Sequence, residues 1–349
     1  MPATASDTAD ILVVGAGTAG CAAAANLPPG ARALLIDRSD PAAGRCCGGL
    51  VARDACRALD RLGLVPPPGV RVDPEPRDVH ALDLESGREQ VYRRDYWNVD
   101  RARFDGWLLG RARERVEFRA RTRLVAATRV PGGFDCTLRG DGREFHVRAG
   151  TIIGADGARS RVRSLLFGDR PRPRTIAALQ AWLPPCPLLD RHEVVFSPRF
   201  GDFYAWAIPK PGGVLVGSAF ADPRATADRF AAAVRHFADL LGLPAVTLGR
   251  CARPLSRPAR AAELLPGGRG ALLVGEAAGL VSPSSGEGIS FALESGAAAA
   301  RALGAPSPDA HYRRSFAALA RAVRRKLPKA RIIFTPGLRR LALRLPWYP

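Results

Sequence analysis

The stretch that most restricts what this chain can fold into is 10-DILVVGAGTAG-20. An apolar run passes straight into Gly15, Gly17 and Gly20, with Ala19 between the last two, and then into the helix-prone CAAAANL. That order predicts strand, tight turn and helix. Gly15 permits the turn, Gly17 lets the backbone approach a pyrophosphate, and Gly20 lets the helix close on the strand. Phosphate oxygens then sit on free N–H groups at the positive end of the helix. A second apolar run, 33-ALLID-37, ends in Asp37 and is followed by Arg38. An acid about 20 residues beyond the first glycine is placed to hold ribose hydroxyls. The chain therefore reads as a dinucleotide binder, and the loop alone leaves NAD and FAD open.

Three further stretches argue for a long cofactor held along its length. In 154-GADGARSRVR-163 an apolar strand ends in a turn at Asp156 and Gly157, and a helix begins near Ser160. In 271-ALLVGEAAGLVSPSSGEGIS-290 another strand ends at Gly275 and Glu276, a carboxylate set among small residues. Glu276 is expected to accept a hydrogen bond from a ribityl chain; the alternative is a carboxylate that caps only its own helix. Ala277, Ala278 and Gly279 are expected to be small because the cofactor lies against them. Gly286, Gly288 and Ile289 are expected to bring N–H groups to the pyrimidine side of a flavin. The third stretch pairs 45-RCCGGLVARDA-55 with 99-VDRARFDGWL-108.

These motifs, from about residue 8 to about residue 300, resemble the geranylgeranyl reductase family of FAD-dependent oxidoreductases. They are nearest to its CbrA-like branch, where Gly-Glu likewise replaces Gly-Asp. The resemblance implies an α/β protein of the para-hydroxybenzoate hydroxylase type. One Rossmann-type FAD domain (8–65, 99–165 and 266–305) is interleaved with a mostly antiparallel β-sheet substrate domain (66–98 and 166–265), and a basic helical segment (306–349) follows. It further implies that Gly20 and Asp37 meet the ADP half of FAD and that Leu124 makes a backbone contact to adenine. Asp156 and Gly157 fall near the pyrophosphate, and Cys47, Gly48 and Gly49 beside the isoalloxazine. Arg101 falls on the cofactor, and Glu276, Gly288 and Ile289 on its ribityl and flavin end. Arg101 has a separate case, since a guanidinium near a helix start can bridge to phosphate.

On the substrate side, 203-FYAWAIPKPGGVLVGSAF-220 reads as two strands joined at Pro211-Gly212-Gly213. Tyr204 and Trp206, two apart, share one strand face. They either wall a lipid site or fill the sheet core. The Tyr-x-Trp-x-x-Pro pattern is also similar to flavin-dependent halogenases, but those need a lysine in the N-terminal half, and the first lysine here is Lys210. Cys47 either protonates near the flavin N5 or is a small inert neighbour. The five histidines form no cluster, so no histidine base is indicated. The seven scattered cysteines suggest free thiols, with Cys46 incidental beside Cys47.

The net charge of +19 is concentrated at the end: from Arg301 onward, twelve basic residues face one acid, Asp309. An anionic membrane surface or an acidic redox protein fits that block. No nucleic-acid motif accompanies it. Pro328 and Pro336 are expected to limit the tail to short helices, either interfacial or packed on the FAD domain. No signal segment and no apolar run of about 20 residues is visible, so the expected place is cytoplasmic, with peripheral attachment to the inner face of the membrane left open. The expected chemistry is reduction of a carbon–carbon double bond in an isoprenoid or similar lipid, with Cys47, Tyr204 and Trp206 as catalytic candidates. NAD(P)H or a reduced ferredoxin or flavodoxin would supply electrons. Hydroxylation of a hydrophobic molecule and a non-catalytic membrane-associated flavoprotein are the alternatives.

Overall fold

The computed structural model of the chain describes residues 7–40, 44–222 and 226–342. It opens with β1 (Asp7–Val14), α1 (Thr18–Ala25), β2 (Ala33–Ile36), β3 (Leu50–Ala52) and α2 (Arg53–Arg61). Then come β4 (Asp78–Asp83), β5 (Arg88–Arg93), β6 (Tyr96–Asn98), α3 (Arg101–Arg113) and β7 (Glu117–Arg119). The middle holds β8 (Thr122–Val130), β9 (Gly133–Gly140), β10 (Arg143–Gly154), α4 (Arg161–Leu166), β11 (Arg174–Leu183) and β12 (His192–Phe196). Next are β13 (Ala205–Lys210), β14 (Gly213–Phe220), α5 (Thr226–Leu241), β15 (Gly249–Arg257), β16 (Gly267–Gly268) and β17 (Ala271–Leu273). Three helices finish the described chain: α6 (Ile289–Leu303), α7 (Pro308–Phe334) and α8 (Pro336–Ala342).

The first sheet runs β16-β17-β10-β1-β2-β7, and β9 and β8 extend from β10 as an antiparallel flap. Its centre is parallel: Ile11 sits opposite both Thr151 on β10 and Ala33 on β2. Ile11 to Val14 are all buried because this part of the sheet is covered on both faces. Helix α1 consists almost wholly of alanine and glycine, which lets it lie close to α6. A side chain at Gly296 would run into the Ala19 carbonyl. Here small residues are a packing requirement.

The second sheet runs β15-β11-β14-β13-β12-β4-β5, antiparallel throughout except for the β4–β12 pair. Phe230, Ala233 and Phe237 of α5 bury its outer face against Ala205, Ala207, Val216 and Phe220. Its inner face, with Ile176, Trp206 and Ile208, turns toward the Rossmann domain. The architecture is thus a single Rossmann-type FAD-binding domain interleaved with a mostly antiparallel sheet, followed by a helical C-terminal segment.

Two expectations are overturned here. Pro328 does not break α7, which runs 27 residues through it. Pro328 is exposed, so water can satisfy the carbonyl that loses its N–H partner. The thiols are not all free: Cys46 is joined to Cys251, 205 residues away. Spacing along the chain carries no signal for a pair that only the meeting of two domains creates. Cys46 is therefore not incidental beside Cys47: its partner lies on β15.

The C-terminal segment spans both domains. Tyr312, Phe316 and Val323 of α7 join the Rossmann core. Phe334 then stacks on Phe203 of the second domain at 4.7 Å. Arg339 forms a buried pair with Asp83, Nε to Oδ2 2.5 Å, and donates to the Ile333 carbonyl. Packing on the FAD domain alone is therefore only half of its role. Trp347 and Tyr348 lie outside the described residues. Among the described residues no helix is long and apolar enough to cross a membrane.

Candidate active site

A deep cleft separates the C-terminal edge of the parallel sheet from the inner face of the second sheet. Two helix N-termini face it. Gly17 caps α1 and Gly288 caps α6, and neither cap is closed by a side chain, so N–H groups of the first turns stay available to an anion. Gly17, Ala19, Gly157, Gly286, Gly288 and Ile289 all line this cleft. Gly15 (φ +103°) and Gly20 stand just behind it. A Cβ on Gly15 would meet the Ala155 carbonyl at 2.6 Å, and one on Gly20 would overlap Gly15.

Asp37 is buried behind the loop. Its carboxylate accepts from Ala16 N at 2.8 Å, from Ser39 N and Oγ, and from the Arg45 guanidinium at 2.9 Å. Burial alone would raise its pKa; Arg45 and Ser39 outweigh burial and hold it below the usual carboxylate range. Arg45, which sequence reasoning missed although its motif was noted, lies over Gly17 and lines the cleft. Arg38 points to solvent beside this site, and Leu124 is buried in the flap. Neither lines the cleft. Asp156 faces its own helix, accepting from Arg161 N at 2.6 Å and Val162 N at 3.1 Å. Burial dominates there and raises its carboxyl.

Around Cys47 the field is positive. Arg101, paired with buried Asp105 at 2.7 Å, and Arg253 both act on the thiol. Burial opposes ionisation of Cys47, yet Arg101, the Gly49 N–H and Arg253 prevail and lower its pKa. Beneath Gly49 the Lys210 ammonium bonds to Asn98 Oδ1 and to the Val99 carbonyl at 3.2 Å. Burial brings Lys210 down to about 7, with Cys47 acting against the shift and Arg101 with it. Lys210 ends the aromatic motif of the substrate sheet, but nothing in the sequence placed its ammonium beneath Gly49.

Glu276 lines the cleft from a 3-10 turn, Gly275–Ala278. It accepts from Ser256 N at 2.9 Å and has Arg253 at 3.7 Å, so it does not merely cap its own helix. The expected reason for its small neighbours needs correcting. Ala277 and Ala278 are in the core, the Ala277 carbonyl accepts from Arg163, and a Cβ on Gly279 would press on the Glu263 carbonyl at 2.9 Å. Protein, rather than the cleft, sets their size.

The opposite wall is the inner face of the second sheet. Tyr204 and Trp206 both lie on it, with ring centroids 5.9 Å apart, among Phe203, Ile208 and Leu255. The Tyr204 hydroxyl donates to the Ser285 carbonyl at 2.7 Å, and burial raises its pKa, so it stays protonated. The Trp206 indole lies against Gly217, where any side chain would collide with it. Among the described residues its N–H has no partner, nor has either ring nitrogen of His192, 93 % buried on the same wall. Burial, with Arg94 and Lys210 nearby, pushes His192 down to about 3, which keeps the imidazole neutral. His192 escaped notice because only the pairing of β12 with β13 brings it here.

FAD fits this cleft. Among the described residues the buried Nε groups of Arg45 and Arg101 have no acceptor, both helix N-termini lack a side-chain cap, and the bare Gly17 backbone lines the cleft with the Arg45 guanidinium over it.

Residues 8–182 match the family model for an FAD binding domain. Protein CbrA of Escherichia coli O9:H4 is 31 % identical over 348 residues, covering 96 % of this chain and 93 % of its own. Among solved structures, a geranylgeranyl bacteriochlorophyll reductase-like protein of Thermoplasma acidophilum superposes with a TM-score of 0.80 at 18 % identity, over 96 % of this chain and 90 % of that one. PqsL, a probable FAD-dependent monooxygenase of Pseudomonas aeruginosa, gives 0.74 at 19 % identity over 96 % and 99 %. CmlS, a flavin-dependent halogenase, gives 0.68 at 19 % identity over 90 % and 62 %. At these identities the structural likenesses establish the fold, which hosts more than one chemistry.

Proposed function

For a chain that belongs to the FAD-binding-domain family and is kin to the CbrA proteins, we propose reduction of a carbon–carbon double bond in an isoprenoid or similar lipid. The observation that carries this reading is the aromatic and apolar wall of Phe203, Tyr204, Trp206, Ile208 and Leu255, which faces the flavin loop across the cleft. When bound, FAD supplies the hydride chemistry. The chain's own residues supply everything else. The N–H groups of α1 and the bare Gly17 backbone would hold the pyrophosphate, with Asp37 and Arg45 at the ribose. Glu276 would take the ribityl chain, tethered by Ser256 N to the substrate sheet. Cys47, Gly48, Gly49, Arg101 and the N-terminus of α6 would surround the ring.

Cys47 is the favoured proton donor. A thiol whose pKa is lowered by Arg101 and Arg253 releases its proton more readily than an ordinary cysteine. Tyr204, whose proton is directed to the Ser285 carbonyl, orients the wall instead. His192 and the Trp206 N–H give an otherwise apolar substrate two neutral polar contacts. The lone Rossmann loop supports an electron donor that binds transiently: NAD(P)H, or an acidic ferredoxin or flavodoxin suited to the basic surface. Exposed Leu338 and Leu341 beside Arg340 support contact with an anionic leaflet, and co-sedimentation with anionic vesicles tests that contact.

The experiment is anaerobic. FAD-loaded protein reduced with dithionite is mixed with a polyprenyl substrate, and the product mass is read. A gain of two mass units per double bond is expected. An unchanged substrate, or a product hydroxylated only when oxygen is admitted, refutes the reductase reading and favours a monooxygenase.

A further inference from the structure

We propose that Cys46 and Cys251 form a second two-electron redox centre inside the cofactor cleft, alternating between a disulfide and a pair of thiols. The proposal rests on FAD occupying that cleft. Cys46 lines the cleft on the loop that carries Cys47 to Gly49, and Cys251 lies on β15, two residues from Arg253 on the same face. The bond therefore ties the flavin loop of one domain to the substrate sheet of the other.

The surroundings suit both oxidation states, and Gln180 is the reason. Its side chain is buried, and its Oε1 lies 3.3 Å from Cys46 Sγ and 3.6 Å from Cys251 Sγ. Among the described residues it receives no N–H or O–H donor. A disulfide has no proton to give that oxygen, whereas two thiols at these distances can each donate an S–H to it. Reduction thus supplies partners to a buried acceptor that is costly to leave alone.

Three of the other cysteines lie outside the cleft. Cys21 and Cys136 are buried and pushed up to about 12 by desolvation, and Cys56 to about 11. Reactive sulfur is concentrated in the cleft. A single disulfide in a chain whose five other described cysteines are unpaired is no stabilising framework.

The step balances simply. The S–S bond accepts two electrons and two protons and becomes two thiols. The reductant is a reduced flavin, which is oxidised in turn. Opening the bond releases the flavin loop from β15.

The test is an anaerobic dithionite titration of FAD-loaded protein, following flavin bleaching. Denatured samples are alkylated and their modified cysteines mapped by mass. Air-oxidised protein is expected to show five modified cysteines. Full reduction should consume about four electrons per FAD, two per couple, and give all seven, the newcomers being Cys46 and Cys251. Cys251→Ser should take up about two electrons per FAD by the same count. Two electrons in the wild type with five modified cysteines throughout would overturn the proposal, as would seven modified cysteines before reduction. Dithiothreitol treatment of FAD-free protein separates the pair from the cofactor reading. A rise from five to seven supports a reducible pair even where FAD fails to bind, and no rise refutes it.

Discussion

Replacing Gly17 by Ala separates cofactor binding from folding within a single loop. A Cβ at 17 meets nothing nearer than the movable Arg45 guanidinium, at 3.6 Å, and the backbone there has φ −78°, which any residue adopts. The fold loses only the difference between Gly and Ala as a helix cap, under about 1 kcal/mol, or a melting shift of no more than about 3 °C. In the cleft the same methyl stands where a pyrophosphate would meet the N–H groups of α1. Losing two charge-assisted hydrogen bonds at about 1.5–3 kcal/mol each weakens FAD by roughly 10²–10⁴-fold, at about 1.4 kcal/mol per tenfold. Gly20→Ala is the internal control. Its Cβ overlaps the Gly15 carbonyl, so the β1–α1 turn must move and the fold should lose more than about 4 kcal/mol. FAD titration by flavin fluorescence and melting by circular dichroism read the two effects. Wild-type FAD affinity in Gly17→Ala, or an undisturbed melt in Gly20→Ala, refutes the reasoning.

Three other outcomes follow from the same geometry. Glu276→Gln keeps the acceptor for Ser256 N but loses the charge, and should retain FAD about tenfold less well; undiminished occupancy after gel filtration removes Glu276 from the cofactor site. If Cys47 is the proton donor, single-turnover rates should fall as pH rises through its lowered pKa, below the ordinary 9.0, and Arg101→Gln should move that limb upward; a limb unmoved by both Arg101→Gln and Cys47→Ser assigns the proton elsewhere. His192, held neutral at about 3, takes up no proton in the folded state while the unfolded chain does so below about 6.5. Its contribution is therefore complete above that pH and declines as pH falls toward 3, by at most about 1.4 kcal/mol per pH unit. His192→Phe should flatten the acid side of the stability curve, and an unaltered acid side shows that the imidazole is solvated.

How much of this was legible in the sequence depends on whether a residue acts through its own neighbours or through a partner far along the chain. The β1 loop, the Asp156 turn and the Gly275–Glu276 strand end announced themselves because glycine at a tight turn has a local steric cause. Tyr204 and Trp206 were placed on one face by strand period alone. The Cys46–Cys251 bond, the unpartnered His192 and Lys210 beneath Gly49 were not visible, because each depends on strand pairing or domain contact between distant segments. The sizes of Ala277 and Gly279 were noticed for the right reason, close approach, but attributed to the wrong neighbour. Pro328 misled because a helix tolerates proline where water can take the freed carbonyl.

The most direct measurement is the flavin content of the purified chain. Two helix ends without side-chain caps, the side-chain-free Gly17 and the buried Arg45 and Arg101 Nε groups without acceptors among the described residues predict a yellow protein that keeps one FAD per chain through gel filtration. A colourless protein that stays colourless after incubation with excess FAD would contradict the account at its base.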